Sequence, residues 1–144
     1  MIKKRDKKII SILEKVAVDV VPVSSARIAS AIVHDGDIIS IGINQEKTHT
    51  LAAKYARKED CGNMLHSEIH AIAQATRRMS PSDLADSTLY ICRVKYTGPI
   101  EVGGVFQLGL AKPCCGCMDA ISDFKIRRVV YTTDQETLEE INGL

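Results

Sequence analysis

Near the start of the chain, Ile9, Ile12, Leu13, Val16 and Val20 recur at helical spacing among lysines and acids. That pattern predicts an amphipathic helix from Lys4 to Val21, stopped near Pro22. Ile28 to His34 and Asp37 to Ile43 then read as two strands, joined by Asp35-Gly36, a strong two-residue hairpin signal. From Asn44 to Leu65 the chain is polar and lacks a strand pattern; Leu51 to Arg57 suits a helical turn and the rest reads as loop. A second helix is predicted from His66 to Met79, with Ile69, Ile72, Ala73 and Thr76 on one face and Pro81 ending it. Thr88 to Lys95 is rich in β-formers and continuous enough for a central strand. A third helix (Cys114 to Phe124), a fourth strand (Arg127 to Thr132) and a short closing helix (Gln135 to Ile141) follow.

Strand and helix alternate through the second half, which predicts parallel pairing with right-handed crossovers. The expected fold is a three-layer α/β/α domain with a mixed sheet, an antiparallel hairpin at one side and parallel strands joined by helices. No repeat or linker interrupts the pattern.

Composition adds limits. A chain of 144 residues is expected to form a single domain, 1–144, and to bury roughly 70% of its unfolded surface. The net charge of +1 and the two Phe, four Tyr and absent Trp lack the basic stripe and stacking aromatics of a polynucleotide binder. No apolar run approaches membrane-spanning length; Ile9 to Leu13 is short and meets Glu14 and Lys15. Five cysteines, an odd count with three of them packed into Cys114 to Cys117, suit metal binding in a reducing cytoplasm better than a disulfide framework.

The chemistry concentrates in His66-Ser67-Glu68 and Pro113-Cys114-Cys115-Gly116-Cys117. One imidazole and two thiolates can fill three of the four tetrahedral positions of Zn²⁺, leaving the fourth for water. A glutamate two residues from the histidine can stand beside that water. Residues two apart point about 200° from each other in a regular helix, so His66 is expected in the first helical turn. Cys114 follows Pro113, a helix-start residue. Both ligand sets would then sit at helix N-termini, which favour thiolates. The same cluster also suits a closed structural zinc site, with Cys115 as a fourth ligand, in a non-catalytic interaction module. His66 and His70 form an H-x-x-x-H pair, but zinc proteases place Glu where this chain has Ser67, so His70 is assigned to packing or a pocket wall. Cys92 reads as a buried small hydrophobe and His34 as exposed.

With H-x-E followed by P-C-x-x-C, and a Gly42-Ile43-Asn44 segment upstream, the sequence resembles the cytidine and deoxycytidylate deaminase superfamily from about Ile28 to Thr133. The resemblance implies His66, Cys114 and Cys117 as zinc ligands and Glu68 as the proton shuttle. It implies that Asn44 contacts the substrate sugar, although a turn asparagine at a strand end explains that residue nearly as well. Ser67 and Lys47 join Asn44 as expected substrate contacts, Lys47 with Thr48 and His49 near a phosphate; Arg27, Lys54 and Arg57 are weaker candidates. A second, structural zinc using His49 and Cys61 is a minority reading. The expected reaction is hydrolytic deamination of a cytosine nucleotide such as dCMP, by a homo-oligomer. The alternative substrate is cytosine or adenine in single-stranded DNA or tRNA. Two departures from the family stand out: Thr97 to Lys112 is inserted before the second motif as a long glycine-containing loop, and little chain remains for the fifth strand common in relatives.

Overall fold

The computed structural model describes residues 1–23, 26–47, 49–55, 64–98 and 105–143. Its first helix, α1 (Lys4–Val18), is amphipathic as expected and buries Ile9, Ile10, Leu13 and Ala17. Strands β1 (Arg27–His34) and β2 (Asp37–Ile43) form the predicted hairpin. Asp35 and Gly36 take φ of 50° and 83°, the doubly left-handed turn that matches strand twist. The short helix α2 (Thr50–Tyr55) precedes α3 (Ser67–Ala75). Pro81 does more than end a helix: it opens α4 (Pro81–Ala85), capped by the Ser80 hydroxyl accepting from Asp83 N–H. Then follow β3 (Thr88–Thr97), β4 (Val105–Gly109), α5 (Cys115–Asp123), β5 (Arg128–Thr132) and β6 (Leu138–Asn142).

The sheet runs β2-β1-β3-β5-β6, with β4 also on β3. Pairing is antiparallel except between β3 and β5, so the sheet is mixed as expected, with a single parallel pair among the described strands. The hairpin places β1 between β2 and β3, so the crossover through α3 passes over a strand. β2, β3 and β5 therefore point the same way, and only the last two touch.

Two further expectations change. Part of the 97–112 segment is no loop, because β4 pairs Val105–Gly109 with Arg93–Thr97, beyond the point where β5 leaves β3 at Ile91. The closing helix is instead the strand β6, which supplies the strand that seemed to lack room. A seven-residue helix is marginal by itself, and it would have left the outer backbone of β5 unpaired. Pairing β6 across Arg128–Thr132 satisfies that edge, with the turn closed by Thr133 and Thr137.

The three layers follow from strand alternation. On β3, Leu89 and Ile91 face α3 and α5, whereas Tyr90, Cys92 and Val94 face α1. Because both faces are covered, the strand reads as one apolar run. The helix α1 is also tied down by charge. Asp6, with no exposed surface, accepts two hydrogen bonds from Arg128, at 2.9 Å each, one from Tyr90 Oη at 2.5 Å and one from Lys3 N–H at 2.7 Å. Among the described residues, no helix is long and apolar enough to cross a membrane.

Candidate metal centre and adjoining cavity

Both motifs sit at helix starts on the same face of the sheet. His66 is the N-cap of α3, in extended backbone at φ −70° and ψ 148°. Cys114 is the N-cap of α5, at φ −72° and ψ 172°, and its Sγ accepts from Cys117 N–H at 3.5 Å. The extended caps resolve the spacing problem, since His66 lies just outside the helix and Glu68 just inside it. His66 Nδ1 stands 3.3 Å from Cys117 Sγ and 3.6 Å from Cys114 Sγ, and all three donor atoms lie within 4.8 Å of one another. Tetrahedral zinc with ordinary Zn–S and Zn–N lengths requires N···S separations of ~3.6 Å. The residues fit the ion.

The thiols behave as a pair. The hydrogen bond with Cys117, partly opposed by burial and aided by His66, lowers the Cys114 pKa to about 3. That same bond, burial and the neighbouring Glu68 carboxylate raise Cys117. The anion is favoured on Cys114, at the helix cap, where the N-terminal dipole stabilises it. Cys115 is exposed and outside the cluster.

Glu68 is buried, and its Oε1 accepts from Ser67 Oγ at 2.8 Å. Ser67 Oγ lies 2.7 Å from Ser30 Oγ. Since Ser67 gives its only hydroxyl proton to Glu68, Ser30 donates to Ser67. This buried relay fixes the carboxylate from the β1 side. Asn44 is also buried, with both ends of its amide on backbone: Oδ1 accepts from Ile28 N–H and Nδ2 donates to Ala26 O, each at 2.9 Å. Lys47 is exposed and lies near His70. The structure thus brings His66, Ser67, Glu68, Cys114, Cys117 and Asn44 together, and leaves Lys47 apart.

His70 takes the packing role expected of it. Its Nδ1 accepts from Ile43 N–H at 3.0 Å, and burial, assisted by the charge of Lys47, lowers its pKa. Cys92 is fully buried, which pushes its thiol up to about 12. His34 departs from expectation: it is partly buried, with Asp35, Asp83 and Asp86 carboxylates at 3.5–3.9 Å. His49 Nδ1 accepts from Leu51 N–H; Thr48, Arg57 and Cys61 lie outside the described residues.

A cavity of about 230 Å³ opens beside the cluster, lined by Asn44, His66, Glu68, Ile91, Arg93 and Lys112 among others. Sequence reasoning missed Arg93 and Lys112, and also Ser30. One signal was present for Arg93, an arginine in phase with Leu89 and Ile91 on an otherwise apolar strand. Gly42 gains a reason here. A Cβ on it would stand 2.3 Å from Ser67 O and 2.4 Å from Ala71 N, so only glycine lets α3 lie this close to β2.

The sequence profile of the cytidine and deoxycytidylate deaminase zinc-binding region matches residues 3–133. No curated protein matches the chain in sequence. Among solved structures, the chain is similar to the apo form of the dCMP deaminase from the cyanophage S-TIM5, with a TM-score of 0.60 and 16% identity over 92% of this chain and 86% of that one. It is likewise similar to that enzyme in complex with dCMP and dUMP, with a TM-score of 0.57 and 16% identity over 92% of this chain and 85% of that one. At this identity the structural likeness speaks for the fold.

Proposed function

The chain belongs to the cytidine and deoxycytidylate deaminase family, and on that premise we propose that it is a zinc-dependent hydrolase converting a cytosine nucleotide, dCMP-like, to the uracil nucleotide and ammonia. The observation that carries the reading is the meeting of His66 Nδ1 with the Cys114 and Cys117 sulfurs at 3.3–3.6 Å beside a buried carboxylate. His66, Cys114 and Cys117 would hold the ion. When bound, zinc supplies the Lewis acidity that makes a water nucleophilic near neutral pH.

Glu68 does the proton work. Its carboxylate takes the proton of the attacking water and gives it to the ring nitrogen, which makes C4 of the base electrophilic. After attack it takes the proton of the new C4 hydroxyl and passes it to the amine, which leaves as ammonia while C4 becomes a carbonyl. Ser67 and Ser30 hold the carboxylate in place by the relay above, so Ser67 serves the substrate through Glu68. Asn44 pins the start of β1 to the end of β2 and presents that wall to the cavity. Lys47, outside the cavity lining, is at most a peripheral contact for a phosphate. All 144 residues are taken as one deaminase domain. Its thiol ligands work in a reducing compartment, the cytoplasm, and the chain acts as a homo-oligomer, which analytical ultracentrifugation tests.

The function is tested by ammonia release from zinc-loaded protein on dCMP, CMP, deoxycytidine, cytosine, adenosine and a cytosine-containing oligonucleotide. Turnover strongest on dCMP is expected. Turnover of the oligonucleotide alone would shift the substrate to nucleic acid. Silence throughout, with zinc still bound, would overturn the enzyme reading in favour of a zinc-stabilised module.

A further inference from the structure

We infer that Arg93, seconded by Lys112, is the specificity determinant that selects a phosphate-bearing substrate in this cavity. The inference rests on the proposed deaminase site and assigns its anion recognition to residues outside both metal motifs.

Arg93 is in phase with Leu89 and Ile91 on β3, so its side chain enters the layer that holds Glu68 and His66. Its Nε is buried and has no hydrogen-bond partner among the described residues. A buried guanidinium nitrogen left unpaired in a cavity wall calls for an acceptor. Among the described residues of the lining, Glu68 is the only carboxylate and is engaged by Ser67, and the Cys114 sulfur belongs to the metal cluster. Asp134, whose charge does reach Arg93, spends its Oδ1 on Lys95 Nζ at 2.8 Å and Leu110 N–H at 3.0 Å and makes no hydrogen bond to the guanidinium Nε. Lys112, exposed at the same cavity, adds a second cation.

Two cations lining a cavity whose one described carboxylate is engaged leave it ready for an anion. A planar guanidinium with several N–H donors suits the oxygens of a phosphate, with a lysine as the supporting point charge. The platform is the β3–β4 ladder. Arg93 pairs with Gly109, and a Cβ on Gly109 would stand 3.2 Å from Arg93 Cδ, so glycine there leaves room for the arginine stem. The inserted segment thereby shapes the pocket. A cavity of about 230 Å³ suits one small ligand, so the occupant is a nucleoside monophosphate.

The test compares wild type, Arg93→Gln, Arg93→Lys and Lys112→Gln, each checked for zinc content. The first readout is the ratio of kcat/KM on dCMP to that on deoxycytidine. Arg93→Gln should collapse it by about 10- to 100-fold, the value of charge-assisted hydrogen bonds, mainly through KM for dCMP. Arg93→Lys should recover part of the ratio, and Lys112→Gln should lower it by a few-fold. Lys112 is exposed, so that variant tests the idea even if Arg93→Gln fails to fold. An unaltered ratio in the folded variants, or wild-type indifference to the phosphate, would overturn the inference. The second readout is calorimetric binding of dUMP against deoxyuridine and of dAMP against deoxyadenosine. A phosphate preference that vanishes in Arg93→Gln supports the anion site even if no cytosine substrate turns over. Turnover without that preference sinks the anion site and leaves the deaminase standing.

Discussion

Gly42→Ala adds one methyl group and should move the reacting centre. The new Cβ would lie 2.3 Å from Ser67 O, 2.4 Å from Ala71 N and 3.0 Å from Ala71 Cα, where ordinary contact begins near 3.4 Å. Relief requires α3 to withdraw by about 1 Å. All three atoms are backbone, so no side-chain rotation can absorb the clash. The withdrawal stretches three bonds that hold α3 on β2: Ser40 Oγ to Ala71 O at 2.7 Å, Ile43 N–H to His70 Nδ1 at 3.0 Å and Gln74 Nε2 to Ile41 O at 2.9 Å. It also carries His66 and Glu68 away from Cys114 and Cys117, which ride on a different helix. Overpacking of this kind costs about 1–3 kcal/mol, and a ~1 Å misplacement of reacting groups costs on the order of 10²-fold in rate. Gly42 has no positive φ. Without the clash, alanine would stabilise the fold by about 0.4–1 kcal/mol through the unfolded chain, so the two accounts differ in sign. Urea unfolding and turnover per bound zinc together decide. A variant as stable as wild type, with undiminished turnover, would refute the close-approach argument.

The remaining predictions are more local. Glu68→Gln should keep zinc by metal analysis and lose about 10²–10⁴-fold in turnover, the range for a lost general acid–base; normal deamination would remove Glu68 from the mechanism. Asp6→Asn breaks a buried ion pair and should cost about 3 kcal/mol in urea unfolding, near the low end for such pairs, and a loss under ~1 kcal/mol would deny the pair its anchoring role. In Asp6, burial raises the pKa, but hydrogen bonds from Arg128, Tyr90 and Lys3 N–H outweigh it and hold the carboxyl well below the usual range. Its stabilisation is therefore present above about pH 4 and is lost as pH falls below that. His70 is lowered by burial and by Lys47, so the unfolded chain takes up its proton first. Stability should fall as pH drops below ~6.5; in a urea-unfolding pH series, a His70→Gln variant with wild-type pH dependence would contradict this.

Much of the site could be read directly from residue order. The residue types and spacing of His66, Glu68, Cys114 and Cys117 point to the proposed chemistry, because a metal's preference for imidazole and thiolate is a property of the side chains. The amphipathic period of α1, the Asp35-Gly36 turn and the apolar run of β3 likewise follow from forces acting within a few residues. What the tertiary structure decided were matters between distant segments. β4 and β6 exist because β3 and β5 had edges to pair, and no local period in Gln135–Ile141 records that need. Gly42 matters only because α3 settles against it, and Asn44 spends its amide on backbone across the hairpin. Arg93 joins the cavity lining with Glu68 because strand alternation puts it on the face that the helices cover. Propensity and turn chemistry act along the chain, whereas edge pairing, close approach and cavity lining depend on which surfaces meet after it has folded.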